Sequence, residues 1–149
     1  MIELLQISGF KRFESNEFEL KKITLLTGMN GAGKSSLIQG MLLAKEASLS
    51  SDTVSLDDSY GVDLGTAVEV LNWNCEDKIS LELGANASWE LQMTSENALY
   101  LAVTKRNVTE LPFSFSRQPR VFTYLCAERV GPRTSYTLSP TPQKCLRLV

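Results

Sequence analysis

The chain has 149 residues, enough for one domain that buries roughly two thirds of its unfolded surface. Hydrophobic residues make up 43% and charged residues 21%, and a net charge of −2 gives no overall reason to expect nucleic acid or an anionic membrane as partner. Histidine is absent, which excludes Ser-His and Cys-His nucleophilic catalysis, histidine-ligated zinc and a histidine general base.

The first residues, "MIELLQISGFKRF", are interrupted by Glu3 and follow no basic region. No apolar run approaches the ~18 residues of a spanning helix, so neither a signal peptide nor a membrane segment is expected. Cys75, Cys126 and Cys145 stand far apart without metal-ligand spacing, which suits reduced thiols and a cytoplasmic location.

In chain order, Ile2 to Ile7 predicts a strand, and "NEFEL" (Asn16 to Leu20) alternates like a half-buried one. "KITLLTG" (Lys22 to Gly28) is a nearly continuous apolar run ending in a glycine turn, the pattern of a strand covered on both faces in mid-sheet. From Lys34 to about Ala47, Leu37, Ile38, Met41, Leu42 and Ala44 fall at helical spacing, with Gly40 a cost to that helix. "ASLSSDTVSLDDSYG" predicts an exposed loop. A turn at Gly65 follows, with Thr66 capping a short helix through Trp73. "KISLELG", "SWELQMT" and "ALYLAVT" alternate between polar turns and predict an antiparallel meander. "RVFTYLCA" (Arg120 to Ala127) predicts a further strand of the central sheet, and "SPTPQKCLRLV" no element. Trp73 and Trp89 are expected in the core or the meander, with stacking on a base as the alternative.

Gly28-Met-Asn-Gly-Ala-Gly33-Lys34-Ser35 satisfies G-x-x-x-x-G-K-[ST]. Gly28, Gly31 and Gly33 permit torsions and close approaches that side chains obstruct. The loop amides, from Asn30 and Ala32 through Ser36, can then wrap a phosphate at the positive end of the following helix. Lys34 brings a full charge to the β- and γ-phosphates, and the Ser35 hydroxyl suits Mg²⁺. The pattern arises by chance in about one chain in two hundred of this length; a buried strand before it and an amphipathic helix after it make coincidence a poor explanation. ATP and Mg²⁺ are therefore the expected cofactors. A GTPase would need N-K-x-D, which is absent, and "DDSYG" (Asp57 to Gly61) fits D-x-x-G without a leading apolar strand. Asp57 and Asp58 read as solvated loop residues more readily than as metal ligands.

The stretch "MIELLQISGFKRFES…FELKKITLLTGMNGAGKSSLIQGMLL" resembles the start of the ABC-type ATPases related to the SMC, RecF and OLD proteins. The turn Gly9-Phe10-Lys11-Arg12-Phe13 is similar to their aromatic-basic turn, and Asn30 and Ala32 match their loop, with Met29 where proline is more usual. "YGVDLGTAVEVL" and "YLCAERVGPRTSY" resemble segments of a bacterial group of AAA-family ATPases, some from phage-defence loci. The resemblance implies an α/β fold: the N-terminal lobe of an ABC-type P-loop NTPase head over residues 1–139, with a central sheet and an added antiparallel β meander. Residues 140–149 are expected to be an irregular tail.

The resemblance also implies that Lys11 and Arg12 lie near the nucleotide, or near DNA in a parent protein; a solvated basic turn is the alternative. Such ATPases clasp ATP between two heads, facing the P-loop with an L-S-G-G motif, and carry a strand ending in Asp-Glu; neither sequence occurs here. Glu128 and Arg129 fall near the place of the family's Q-loop without a glutamine, and an ion pair is the plainer role for them. The expectation is a polypeptide that binds nucleotide but does not hydrolyse it alone, truncated or frameshifted relative to a parent whose C-terminal half it lacks. A non-enzymatic piece that self-associates, and a small kinase using Arg129 and Arg133, are the alternatives.

Overall fold

The computed structural model describes residues 2–57, 60, 62–116 and 122–125. Six strands form one sheet: β1 (Leu4–Phe10), β2 (Phe13–Glu19), β3 (Thr53–Ser55), β4 (Lys78–Leu83), β5 (Ala87–Met93) and β6 (Tyr100–Val108), in the order β2-β1-β4-β5-β6-β3. Every pairing in it is antiparallel. The α-helices among the described residues are α1 (Lys34–Leu49) and the short α2 (Ala67–Val70), with a 3-10 turn at Phe113–Phe115.

The alternation in the sequence becomes two unlike faces. Register places Leu5 opposite Leu83, Ile7 opposite Leu81, Leu81 opposite Trp89, and Ile79 opposite Leu91, so one face is apolar across the three strands β1, β4 and β5. α1 packs against β1, β3 and β4, and Leu37, Leu43, Ala44 and Ala47 join the sheet residues in a single core. Gln6, Ser8, Ser80, Glu82, Ser88 and Glu90 occupy the other face, where Lys105 pairs with Glu90 at 2.9 Å.

Gly40 has a positive use in this packing. A Cβ there would lie 2.5 Å from Ile7 Cδ1, so the missing side chain lets α1 lie directly on β1. The helical cost of a glycine is on the order of 1 kcal/mol, and the closer helix–sheet contact offsets it.

Three expectations are corrected. Lys22 to Gly28 forms no strand: among the described residues nothing pairs with it, and Ile23 and Leu25 are 90% and 84% exposed. Its apolar run marks it as fit for burial, yet the sheet it was expected to centre is built wholly from other segments. The Ser/Asp-rich stretch after α1 is not simply loop, because β3 lies within it and pairs with β6, burying Val54 and Leu56 completely. Trp73, expected in the core or the meander, is 93% exposed and lies in neither, and α2 ends at Val70 rather than reaching it.

The meander β4-β5-β6 appears as expected, but as part of the one sheet. Trp89 is buried in it. Thr66 caps α2 in a reciprocal capping box with Glu69, whose carboxylate accepts from the Thr66 N–H at 2.7 Å and from its hydroxyl at 3.0 Å. These bonds from Thr66 hold the Glu69 carboxyl below its usual pKa. Of the expected strand Arg120 to Ala127, only 122–125 are described, and they form no strand; Glu128, Arg129, Arg133 and the tail 140–149 lie outside the described residues. Among the described residues no helix is long and apolar enough to cross a membrane.

Candidate functional site

The loop from Gly28 to Gly33 joins the exposed segment 22–27 to α1. Gly28, Gly31 and Gly33 all have positive φ, at 144°, 78° and 94°. The turn is closed by Ala32 N–H donating to the Met29 carbonyl at 3.1 Å. Gly33 is the N-cap of α1, in left-handed geometry and with no side-chain cap, and no acidic residue occupies the first turn. The first amides of a 16-residue helix are therefore left facing the loop without an internal acceptor. That is the condition under which a helix N-terminus favours an anion.

Lys34 closes the loop. Its ammonium donates to the carbonyls of Gly28 at 2.7 Å and Met29 at 2.8 Å. Ser35 is exposed and Ser36 half-buried on the first turn of α1, and Asn30 is exposed at the loop's tip.

The basic turn between β1 and β2 lies against this loop. Arg12 Nη1 donates to the Gly31 carbonyl. A Cβ on Gly33 would lie 2.5 Å from Arg12 Cδ and 3.2 Å from Phe13 Cζ, so both side chains pack directly on the last glycine of the loop. The structure thus brings Arg12 to the loop, and Lys11 to one side of it. Lys11 has φ 48°, and its ammonium donates to Gln39 Oε1 on α1 at 2.9 Å and stands 5.7 Å from the centre of the Phe10 ring. Burial lowers its pKa from the usual lysine value, and the carboxylates of Glu69 and Asp63 partly oppose that shift.

Two residues that sequence reasoning passed over help to build this arrangement. Gln39 holds the Lys11 ammonium, and Asn72, buried to 4% exposure, donates through Nδ2 to the Lys11 carbonyl at 2.7 Å. No sequence signal marked Asn72; it stands between Leu71 and Trp73, and only its burial makes it notable.

For a metal, the described residues offer little beyond the Ser35 hydroxyl: no group of three or more Cys, Asp or Glu stands together among them. Asp57 is exposed, and Asp58 lies outside the described residues.

Searches of curated proteins and of solved structures return no match to the chain. A family model described as an AAA domain matches residues 4–109, from the first strand through the P-loop pattern, α1 and the meander. The chain therefore belongs to the AAA domain family of nucleotide-binding ATPases.

Proposed function

We propose that the chain holds the phosphates of ATP, with Mg²⁺, in the loop Gly28 to Ser35, as the nucleotide-binding portion of an ABC-type P-loop ATPase. One observation carries this reading: a G-x-x-x-x-G-K-S loop with positive φ at three glycines runs into the uncapped end of a long helix, with Lys34 folded over it. A phosphate would draw the Lys34 ammonium from the Gly28 and Met29 carbonyls, because an anionic oxygen adds the attraction of a full opposite charge that a neutral carbonyl lacks. In this reading the amides of Asn30 to Ser36 cradle the phosphates, Lys34 and Arg12 balance their charge, and Lys11 supports from α1's side. Ser35 is the Mg²⁺ ligand, and the ion would neutralise phosphate charge.

The proposal stops at binding. The sequence has no apolar strand ending in Asp-Glu and no L-S-G-G motif, so the groups that activate water would come from another segment or another chain. Calorimetric titration with Mg-ATP tests the site. The native chain is expected to bind and Lys34→Ala to lose binding while keeping its fold; absent binding by the folded native chain, or unchanged affinity in the variant, overturns the reading.

A second reading is favoured by the exposure of Ile23 and Leu25: that this stretch is a surface for association, with a second copy or with the C-terminal half of a parent protein. Sedimentation across a concentration series separates the two readings, since a stable monomer that binds ATP supports the first alone.

A further inference from the structure

We infer that Asn72 is a positioning residue for the nucleotide site: its carboxamide fixes the left-handed turn that lays Arg12 on the P-loop. The inference rests on the proposed binding of ATP there for its functional consequence, but its structural part stands on the contacts of the chain alone.

The register of the β1–β2 hairpin pairs Phe10 with Phe13 and leaves Lys11 and Arg12 as the two residues that turn the chain. Lys11 makes that turn at φ 48°, a conformation disfavoured for a side-chain-bearing residue by about 1–2 kcal/mol. Something must hold it. The holding element is the segment after α2, which runs along the turn from outside. Phe10 bridges to Leu71, Lys11 N–H donates to the Val70 carbonyl at 2.7 Å, and Asn72 N–H donates to the Gly9 carbonyl at 3.0 Å.

Asn72 completes this clamp with its side chain. Nδ2 donates to the Lys11 carbonyl at 2.7 Å, and Oδ1 accepts from Asn74 N–H at 2.9 Å. Asn74 in turn donates to the Glu14 carboxylate just past the turn. Both ends of one carboxamide are thus used, a donor toward Lys11 and an acceptor from Asn74, which neither aspartate nor leucine reproduces. One residue along from that carbonyl, Arg12 reaches Gly31 and crowds Gly33. The chain of contacts runs from Asn72 through Lys11 and Arg12 to the loop.

The test uses Asn72→Asp, which keeps size but loses the donor, and Arg12→Ala, an exposed change that leaves the clamp in place. Hydrogen exchange is followed in peptides covering 28–37 and in β4–β5, without nucleotide, together with Mg-ATP titrations. Both variants are expected to speed exchange in 28–37 while β4–β5 stays protected. Asn72→Asp is expected to weaken Mg-ATP by about tenfold, the scale of one displaced charged hydrogen bond, and to have less than about twofold further effect when Arg12 is already alanine.

Loop exchange unchanged in Arg12→Ala, or in folded Asn72→Asp, overturns the positioning role. So does a loss of affinity in Asn72→Asp that persists in full without Arg12. A native chain that binds no Mg-ATP instead overturns the proposed function, while the exchange measurements still decide the role of Asn72.

Discussion

The ammonium of Lys34 is bonded to the carbonyl of Gly28, six residues earlier, at 2.7 Å. The loop is therefore closed on itself by the side chain assigned to phosphate. In the proposed site, binding would exchange that bond and its neighbour to Met29 for stronger ones to an anion, made by a cation that is already in place. With Mg-ATP at a hundredfold excess over Kd, ligand binding adds about 2.7 kcal/mol of stability. The melting temperature of the native chain should rise by several degrees under those conditions, and that of Lys34→Ala should not move. Equal thermal shifts in both would remove Lys34 from the site.

The loop glycines are not equivalent. Gly31 has φ 78° with nothing within 4 Å of a built Cβ, whereas Gly33 has φ 94° and Arg12 in the way. Alanine at 31 should cost only the left-handed strain, about 1–2 kcal/mol. Alanine at 33 should cost that strain and also push Arg12 off the Gly31 carbonyl. Denaturant melts are expected to show the larger loss for Gly33→Ala, and similar losses would mean that Arg12 moves aside freely.

Tyr60 supplies a pH dependence on the alkaline side. Desolvation, and then the nearby Glu46 carboxylate, push its phenol from 10.0 to about 12. The folded state thus holds that proton more tightly than the unfolded chain. Its contribution to stability is fully present below pH 10 and is lost as pH rises through about 12. Lys45, whose pKa burial lowers, works the other way, because stability rises with pH between its lowered value and 10.5. Tyr60→Phe keeps the ring, which lies 5.7 Å from Phe122, and removes the proton. Compared by denaturant melts at pH 9 to 12, the native chain should lose stability relative to Tyr60→Phe; parallel curves would refute the shift.

Arg106 shows how sequence and packing divide the information. Trp89 and Arg106 are paired across β5 and β6, so the arginine stands on the apolar, helix-covered face beside a buried tryptophan. From there Nη1 donates to the Ser50 carbonyl at 2.9 Å and Nη2 to Ser48 at 3.2 Å, capping the C-terminal end of α1. Arg106→Ala should lower stability by about 1 kcal/mol, which is about 2–4 °C for a domain near this size. An unchanged melting temperature would show the cap to be without effect.

Nothing in "VTKRNV" announced that cap. A shift of register between Glu90 and Leu91 sets which β6 residues face the helix, and a period-two reading cannot locate a bulge. The elements that were legible draw on local rules: alternation in β4 and β5, helical spacing in α1, and Thr66 as the cap of α2. The loop glycines and Lys34 were legible because their spacing is itself the signal. Asn72 and Gln39 act across the fold on Lys11, so their roles appear only once distant segments are packed together.

Lys22 to Gly28 departs from its expected strand for a related reason, and it leaves a testable surface. An apolar run reports what a segment could bury, not whether a neighbour exists to bury it. Ile23 and Leu25 stand exposed beside backbone that pairs with no described strand, the arrangement most prone to add a strand from elsewhere. Burying either side chain is worth about 1.5–3 kcal/mol. Leu25→Lys changes an exposed position, so the stability of the folded chain should alter by no more than about 0.5 kcal/mol. If this stretch is an association surface, sedimentation should show concentration-dependent assembly of the native chain and a clear shift toward monomer in Leu25→Lys. A native chain that stays monomeric at every concentration tested would rule out self-association through it.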